Sequence, residues 1–308
     1  MNHSASHFFA RPIAILILLC IGSGFAANHV AARIAFDNGT GLLTTIMFRA
    51  GISFLTLSVL LILQQQSLRL SMKILPWQII LGVLIALQSL CIFSAVARLP
   101  VAIALLVANV FPILLALLTW GLGGKQPTKQ SMLIMGIILF GLIWVLDVPS
   151  WLVRDSVFSP DWFVGLAFAF GAACCFAIAM WITEHKLLSL AGPVRSLFTI
   201  GIVLICVLLL SSTSAIEGGI RLPATPKGWV AMTFVGLLYT CSFIGLFVLA
   251  PKLNMAANSP AMNIEPVTSI LLGWIFLDQM LEPNQLLGAS IVLAGIFVLA
   301  YSNRRPAS

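Results

Sequence analysis

Charge is what this sequence has least of. Asp, Glu, Lys and Arg make up 8% of its 308 residues, where a soluble domain carries about 25%. So few ions cannot coat a water-facing surface, which excludes a cytosolic enzyme, a soluble DNA-binding domain and a disordered chain. Acids are scarcer than bases: nine Asp plus Glu stand against sixteen Lys plus Arg, a net charge of +7. With no soluble surface to carry it, that excess reads as an orientation signal across a bilayer, and nucleic acid is not an expected partner. The chain has no Gly-rich loop ending in Lys-Ser or Lys-Thr to cradle a nucleotide's phosphates, so no ATP-driven cycle is expected. Metal-ligand spacing is missing too. Cys20, Cys91, Cys174, Cys175, Cys206 and Cys241 all lie in apolar runs, where thiols act as small hydrophobes. No disulfide, metal or cofactor is expected.

What the sequence does have is apolar length. Hydrophobic residues make up 60% of it, and a helix crossing the hydrocarbon needs about 20 of them in a row. Breaks at charge, Gly and Pro clusters give ten candidate spans: 12–36, 41–63, 74–97, 100–122, 130–148, 161–183, 192–211, 229–251, 255–277 and 284–302. The fold expected is an all-α polytopic membrane protein. Arg11 followed by Ile13 to Leu19 has the look of a signal peptide, but the apolar run continues to Phe36 and reads better as a first span. With the N-terminus inside, ten basic residues fall on the inner side, among them Arg69, Lys73, Lys186, Arg195 and Lys252. Five, including Arg33, Arg98 and Arg221, fall outside. Both termini are therefore expected in the cytoplasm, and the membrane is the cell's inner (plasma) membrane.

Sliding the chain against itself by 154 positions aligns Gly82 with Gly236, Ala102 with Ala256 and Asn109 with Asn263. It also aligns Pro112 with Pro266, Trp120 with Trp274 and Gly141 with Gly295. The shared Asn-x-x-Pro pair is the most telling, because both residues are scarce in lipid-facing helices. Residues 1–148 then form a first repeat of helices 1–5, 149–160 an external loop, and 161–308 a second repeat of helices 6–10. Five spans is an odd number, so the two five-helix repeats must be inverted in the bilayer. Carriers use this symmetry to reach inward- and outward-facing states around a site near the midplane.

The residues that carry this argument resemble the EamA family of the drug/metabolite transporter superfamily. Ala95 to Trp120 is similar to that family's fourth helix with its entry loop, and Ala250 to Trp274, with Ser259-Pro260 and Glu265-Pro266-Val267, is closer still. Leu286-Leu287-Gly288 through Gly295 resembles the last helix, and Phe48-Arg49-Ala50 the arginine of the second. The resemblance covers nearly the whole chain. It implies ten helices in two repeats and a family that includes exporters of amino acids (aromatic ones among them), drugs and other metabolites. The family's Gly-Glu-Arg after the tryptophan helix is replaced here by Gly123-Gly124-Lys125 and Asp278-Gln279-Met280, so no role of that glutamate carries over.

Polar residues within the spans are the candidate site, because an ionisable group at mid-bilayer costs about 2.5–3.5 kcal/mol on insertion scales. Glu265, directly before Pro266, is either a proton-coupling or cation-recognising carboxylate or a structural acid bonded to a neighbouring helix or to Arg49. Asn258, Met262, Glu265 and Ser269 share helical spacing and read as one stripe. His29, beside Asn28, reads as cavity-lining. Arg49 reads as structural, clamping carbonyls or pairing with an acid. Gln88 and its repeat partner Ser242 read as pore-lining or as interhelical glue. Trp181 and Tyr239 offer rings for stacking a substrate. Asn109 with Pro112, and Asn263 with Pro266, read as hinges whose amides satisfy the backbone that proline frees.

These features lead to a secondary transporter, an exporter by alternating access of small metabolites such as amino acids or drug-like amphipathic compounds. The expected partners are a small-molecule substrate, membrane lipid and protons. Ten helices enclose a cavity within one chain, so a monomer suffices, with a homodimer as the other option. The alternative is an integral membrane enzyme or flippase acting on lipid-linked substrates. An enzyme would need clustered acids, His ligands or a nucleophile, and Asp147, Asp155 and Asp161 share a loop with no His nearby. Not an enzyme is the expectation.

Overall fold

A computed structural model describes residues 9–124, 126–145, 160–213, 216, 219–249, 253 and 264–302. These form eleven helices and no strand. They are α1 (Arg11–Asp37), α2 (Leu42–Leu63), α3 (Leu75–Arg98), α4 (Val101–Ala108), α5 (Phe111–Gly121) and α6 (Lys129–Val145). After the first repeat come α7 (Pro160–His185), α8 (Gly192–Ser211), α9 (Pro226–Leu249), α10 (Glu265–Leu277) and α11 (Pro283–Ser302). Counting α4 and α5 as one segment, seven are long and apolar enough to cross a membrane. The outer faces of these and the shorter helices show Leu63, Leu133, Leu209 and Phe276 to the surroundings, apolar exposure that only lipid would tolerate. Residues 149–159, Ala256, Asn258, Met262 and Asn263, all named above, lie outside the described residues.

The fourth predicted span differs from a single rod. It breaks at Asn109–Val110, between α4 and α5. Pro112 is the second residue of α5 and Pro266 the second of α10. Proline is tolerated in a first turn, where no intrahelical acceptor awaits its missing N–H, so each proline sets where its helix begins. Asn109 Nδ2 donates to the Leu105 carbonyl at 2.8 Å, which also accepts the Asn109 N–H at 2.9 Å where α4 ends.

Packing follows the 154-residue offset. As α1 packs along α9, so α7 packs along α3; α3 meets α8 as α9 meets α2; α1 meets α10 as α7 meets α5. The pairs α2–α8 and α6–α11 map onto themselves. Glycines matched by the offset mark these contacts. A Cβ on Gly82 would stand 2.5 Å from Ile202 Cβ, and one on Gly236 2.5 Å from Ile52 Cδ1. Small residues at such crossings let backbones approach, which is how helices associate where lipid removes the hydrophobic driving force.

The two repeats are tied at one rim, where α1 ends and α2 begins. Gly41 N–H donates to the Arg221 carbonyl at 2.8 Å and Leu43 N–H to the Gly219 carbonyl at 2.8 Å. Arg221 N–H donates to Thr44 Oγ1 at 3.0 Å, and Thr225 Oγ1 to Asn38 Oδ1 at 2.7 Å. Gly39 turns the chain here with a φ of +84°, and a Cβ on it would lie 3.3 Å from Ala224 Cβ. Nearby, Val101 N–H donates to Gln279 Oε1 at 3.0 Å. The main core reaches this rim through Leu43, Val96, Leu99 and Val101. At the opposite rim, two smaller clusters stand apart from it: Leu81, Ala179, Ile182 and Leu187 in one, Ala14, Leu18 and Leu253 in the other.

Candidate functional site

A cavity of about 450 Å³ lies between the repeats, within the range of small-molecule sites. Its wall repeats under the same offset. His29 and Thr183, Ile85 and Tyr239, Ile92 and Leu246, and Phe111 and Glu265 are four pairs 154 residues apart, and all eight residues line it. In three of the four pairs the chemistry does not repeat: imidazole is matched with hydroxyl, aliphatic with phenol, and phenyl with carboxyl, while Ile92 and Leu246 are both aliphatic.

Glu265 is the first residue of α10, where the positive end of the helix favours a carboxylate. Its Oε1 lies 3.6 Å from His29 Nε2, with both side chains mostly buried. The acid therefore meets an imidazole of α1, not Arg49. Ser23 Oγ and Thr268 Oγ1, 3.0 Å apart, hold the same two helices together. His29 sets its ring edge-on to Phe93 at 5.7 Å. Its Nδ1 is buried without a hydrogen bond.

Arg49 is neither clamped on carbonyls nor paired with an acid. Nη2 donates to Ser89 Oγ at 3.0 Å. The guanidinium lies between two rings, 4.5 Å from the Phe93 centroid and 4.1 Å from that of Tyr239. Nε is buried with no partner. Among the described residues, no carboxylate comes within 4.0 Å of it.

The structure brings His29, Gln88, Asn109, Tyr239 and Glu265 to the cavity. It does not bring Asn28, Trp181 or Ser242. Asn28 is buried, and its Nδ2 and Oδ1 have no hydrogen bond; side chains of adjacent helical residues diverge, and His29 holds the cavity face. Trp181 stacks on His185 with centroids 4.9 Å apart. Ser242 packs against Gly24, where a Cβ would collide with its hydroxyl. Of the proposed stripe, Ser269 turns inward and bonds the Pro266 carbonyl at 2.7 Å. Pro112 and Pro266 do not line the cavity, but each follows a residue that does.

Several lining residues carried no sequence signal. Arg195, counted with the inner-side cations, lies in the first turn of α8 and lines the cavity with Thr183, Ser196 and Thr199. Gln78 Nε2 steadies this wall by donating to Thr199 Oγ1 at 2.9 Å. Phe25, Phe111, Phe176 and Phe243 supply its rings. Phe111 and Phe176 meet edge to face at 4.6 Å. The assembled site offers an apolar pocket, two guanidinium groups and one carboxyl–imidazole pair.

Comparison with known proteins agrees with this architecture. The chain is 27% identical over 217 residues, 69% of each chain, to the uncharacterized transporter YwfM of Bacillus subtilis. It is 22% identical over 297 residues to the pseudopaline exporter CntI of Pseudomonas aeruginosa, covering 94% of this chain and 96% of that one. A solved crystal structure is similar at a TM-score of 0.57 and 19% identity, over 96% of this chain and 99% of the other, which speaks to the fold alone. The model of the EamA-like transporter family matches twice, at residues 12–147 and 165–301. The chain is thus a multi-pass membrane protein built from two such repeats, and it belongs to the EamA-like transporter family.

Proposed function

We propose that the chain is a secondary transporter that exports a small metabolite, of the amino-acid or drug-like amphipathic kind, by alternating access. The observation that carries this reading is the cavity between the repeats, whose wall includes four offset-matched pairs, three of them bearing different chemistry. Matched walls allow two conformations of similar energy, and unmatched side chains give a specific site within them. A relative named as an exporter over nearly the full length supports the direction.

In this reading ten transmembrane helices form two inverted five-helix repeats, residues 1–148 and 161–308, joined by an external loop at 149–160. The termini and the α2–α3 turn are cytoplasmic. The tied rim then faces outward, and the split rim, near Thr183, Arg195 and Leu246, faces the cytoplasm. Cargo enters from inside. The ties at Asn38, Gly41 and Leu43 must part before it leaves. Glu265 and His29 form the coupling pair: a proton taken up there changes the charge of the pair, and with it the interaction between α1 and α10, which links the proton gradient to the change of face.

Everted vesicles or proteoliposomes test the reading. Solute movement that depends on the protein and responds to an imposed pH gradient is expected. A broad metabolite panel of which nothing moves, with or without the gradient, would refute it.

A further inference from the structure

Arg49 is a buried cation with no carboxylate within 4.0 Å among the described residues. It is 5% exposed, its Nε has no partner, and Ser89 takes one of its donors. Glu265, the acid of the same cavity, already faces His29. An ion in such a place is costly unless paired and hydrogen-bonded. Its guanidinium carbon lies 4.5 Å from the Phe93 centroid and 4.1 Å from that of Tyr239. Ring faces stabilise its charge but are weak acceptors for its N–H groups. What that planar fork fits is a carboxylate. Arg195 lines the same cavity, its Nη1 donating to the Leu187 carbonyl at 3.5 Å. Phe25, Phe111 and Phe176 line it too.

We propose that the cargo is an organic carboxylate with an apolar, ring-sized body, and that Arg49 is the residue that receives its carboxylate. The aromatic side chains take the body. The carboxylate supplies the guanidinium of Arg49 with a counter-ion and with acceptors for its N–H groups. This rests on the transporter reading above and adds the chemistry of what is carried.

The experiment compares three probes of one shape on the purified full-length protein in detergent: 3-phenylpropionate, 3-phenylpropionamide and 3-phenylpropylamine. Binding is followed by calorimetry and by the melting midpoint. The acid is expected to bind about tenfold to a hundredfold more tightly than the amide, the usual range for a hydrogen bond to a charged group, and the amine not at all. Arg49→Gln should remove the preference for acid over amide, and Arg49→Lys should restore part of it. An amine that binds as well as the acid, no binding of the acid, or an acid preference that survives in a well-folded Arg49→Gln protein would each overturn the proposal. Should Arg49→Gln fail to fold, the wild-type ranking of the three probes decides. Proteoliposomes that move amines but not acids would refute the carboxylate while leaving the transporter standing.

Discussion

Phe111 and Glu265 stand 154 residues apart, each opens a helix one residue before a proline, and both face the same cavity. One backbone device has thus been used twice with opposite chemistry. In the first repeat it delivers a ring, which meets Phe176. In the second it delivers a carboxyl, which meets His29. The repeat supplies positions, and single side chains decide what those positions do.

Replacing the carboxyl alone tests the coupling role. Glu265→Gln keeps the shape of the side chain and removes its ionisation. Uptake driven by a pH gradient into proteoliposomes should fall to the level of protein-free liposomes, with expression and elution unchanged. Driven uptake at the wild-type rate would dismiss the pair as a proton carrier.

Orientation can be read with thiol chemistry. In a background with the six native cysteines replaced by Ala, Gln66→Cys in the α2–α3 turn and Met280→Cys after α10 place thiols at exposed positions. A membrane-impermeant maleimide applied to intact cells should label position 280 and spare position 66. The reverse pattern would turn the assigned faces upside down.

The tied rim gives a third test. Thr225 Oγ1 and Asn38 Oδ1 are 2.7 Å apart, so cysteines at both positions are close neighbours. In the same cysteine-free background, oxidation of the Asn38→Cys/Thr225→Cys protein should stop transport, and reductant should restore it. Full activity in the crosslinked protein would mean that this rim never opens.

Helix crossings predict a contrast between two glycines. Gly82→Ala forces a methyl group against Ile202 and should cost about 1–3 kcal/mol, as overpacking usually does. A Cβ on Gly136 meets nothing within 4 Å, so Gly136→Ala should be neutral or stabilise by up to about 1 kcal/mol through helix propensity. Melting midpoints in one detergent decide. Equal losses at both sites would mean that the crossing at Gly82 is looser than described.

Spans were legible because lipid asks for so little: apolar length and a turn. The second was read as 41–63 and is found at Leu42–Leu63. The break inside the fourth falls where Asn109 and Pro112 read as a hinge, in a stretch from Val101 to Gly121 that is otherwise almost wholly apolar. Within the site, His29, Gln88, Tyr239 and Glu265 stood out as polar groups in apolar runs. Phe111 and Phe176 did not, being two of twenty phenylalanines. Arg195, inside the expected span 192–211 and counted with the inner-side cations, gives no sign of its place in the cavity, because a charge near a span end looks the same whether it faces water or a cavity. Asn28 shows the opposite error, while Ser242, read as pore-lining or as interhelical glue, packs against Gly24 as glue would. A polar residue in a helix need not face the lumen, and which side it faces depends on a neighbour that local sequence does not name.

All the cross-repeat backbone bonds at Gly41, Leu43 and Ala224 gather at a single rim. With that rim outermost, as proposed, an idle copy is corked on the far side and leaves the cell's ion gradients undrained. Expressing it in quantity then costs the cell little until something arrives to be expelled.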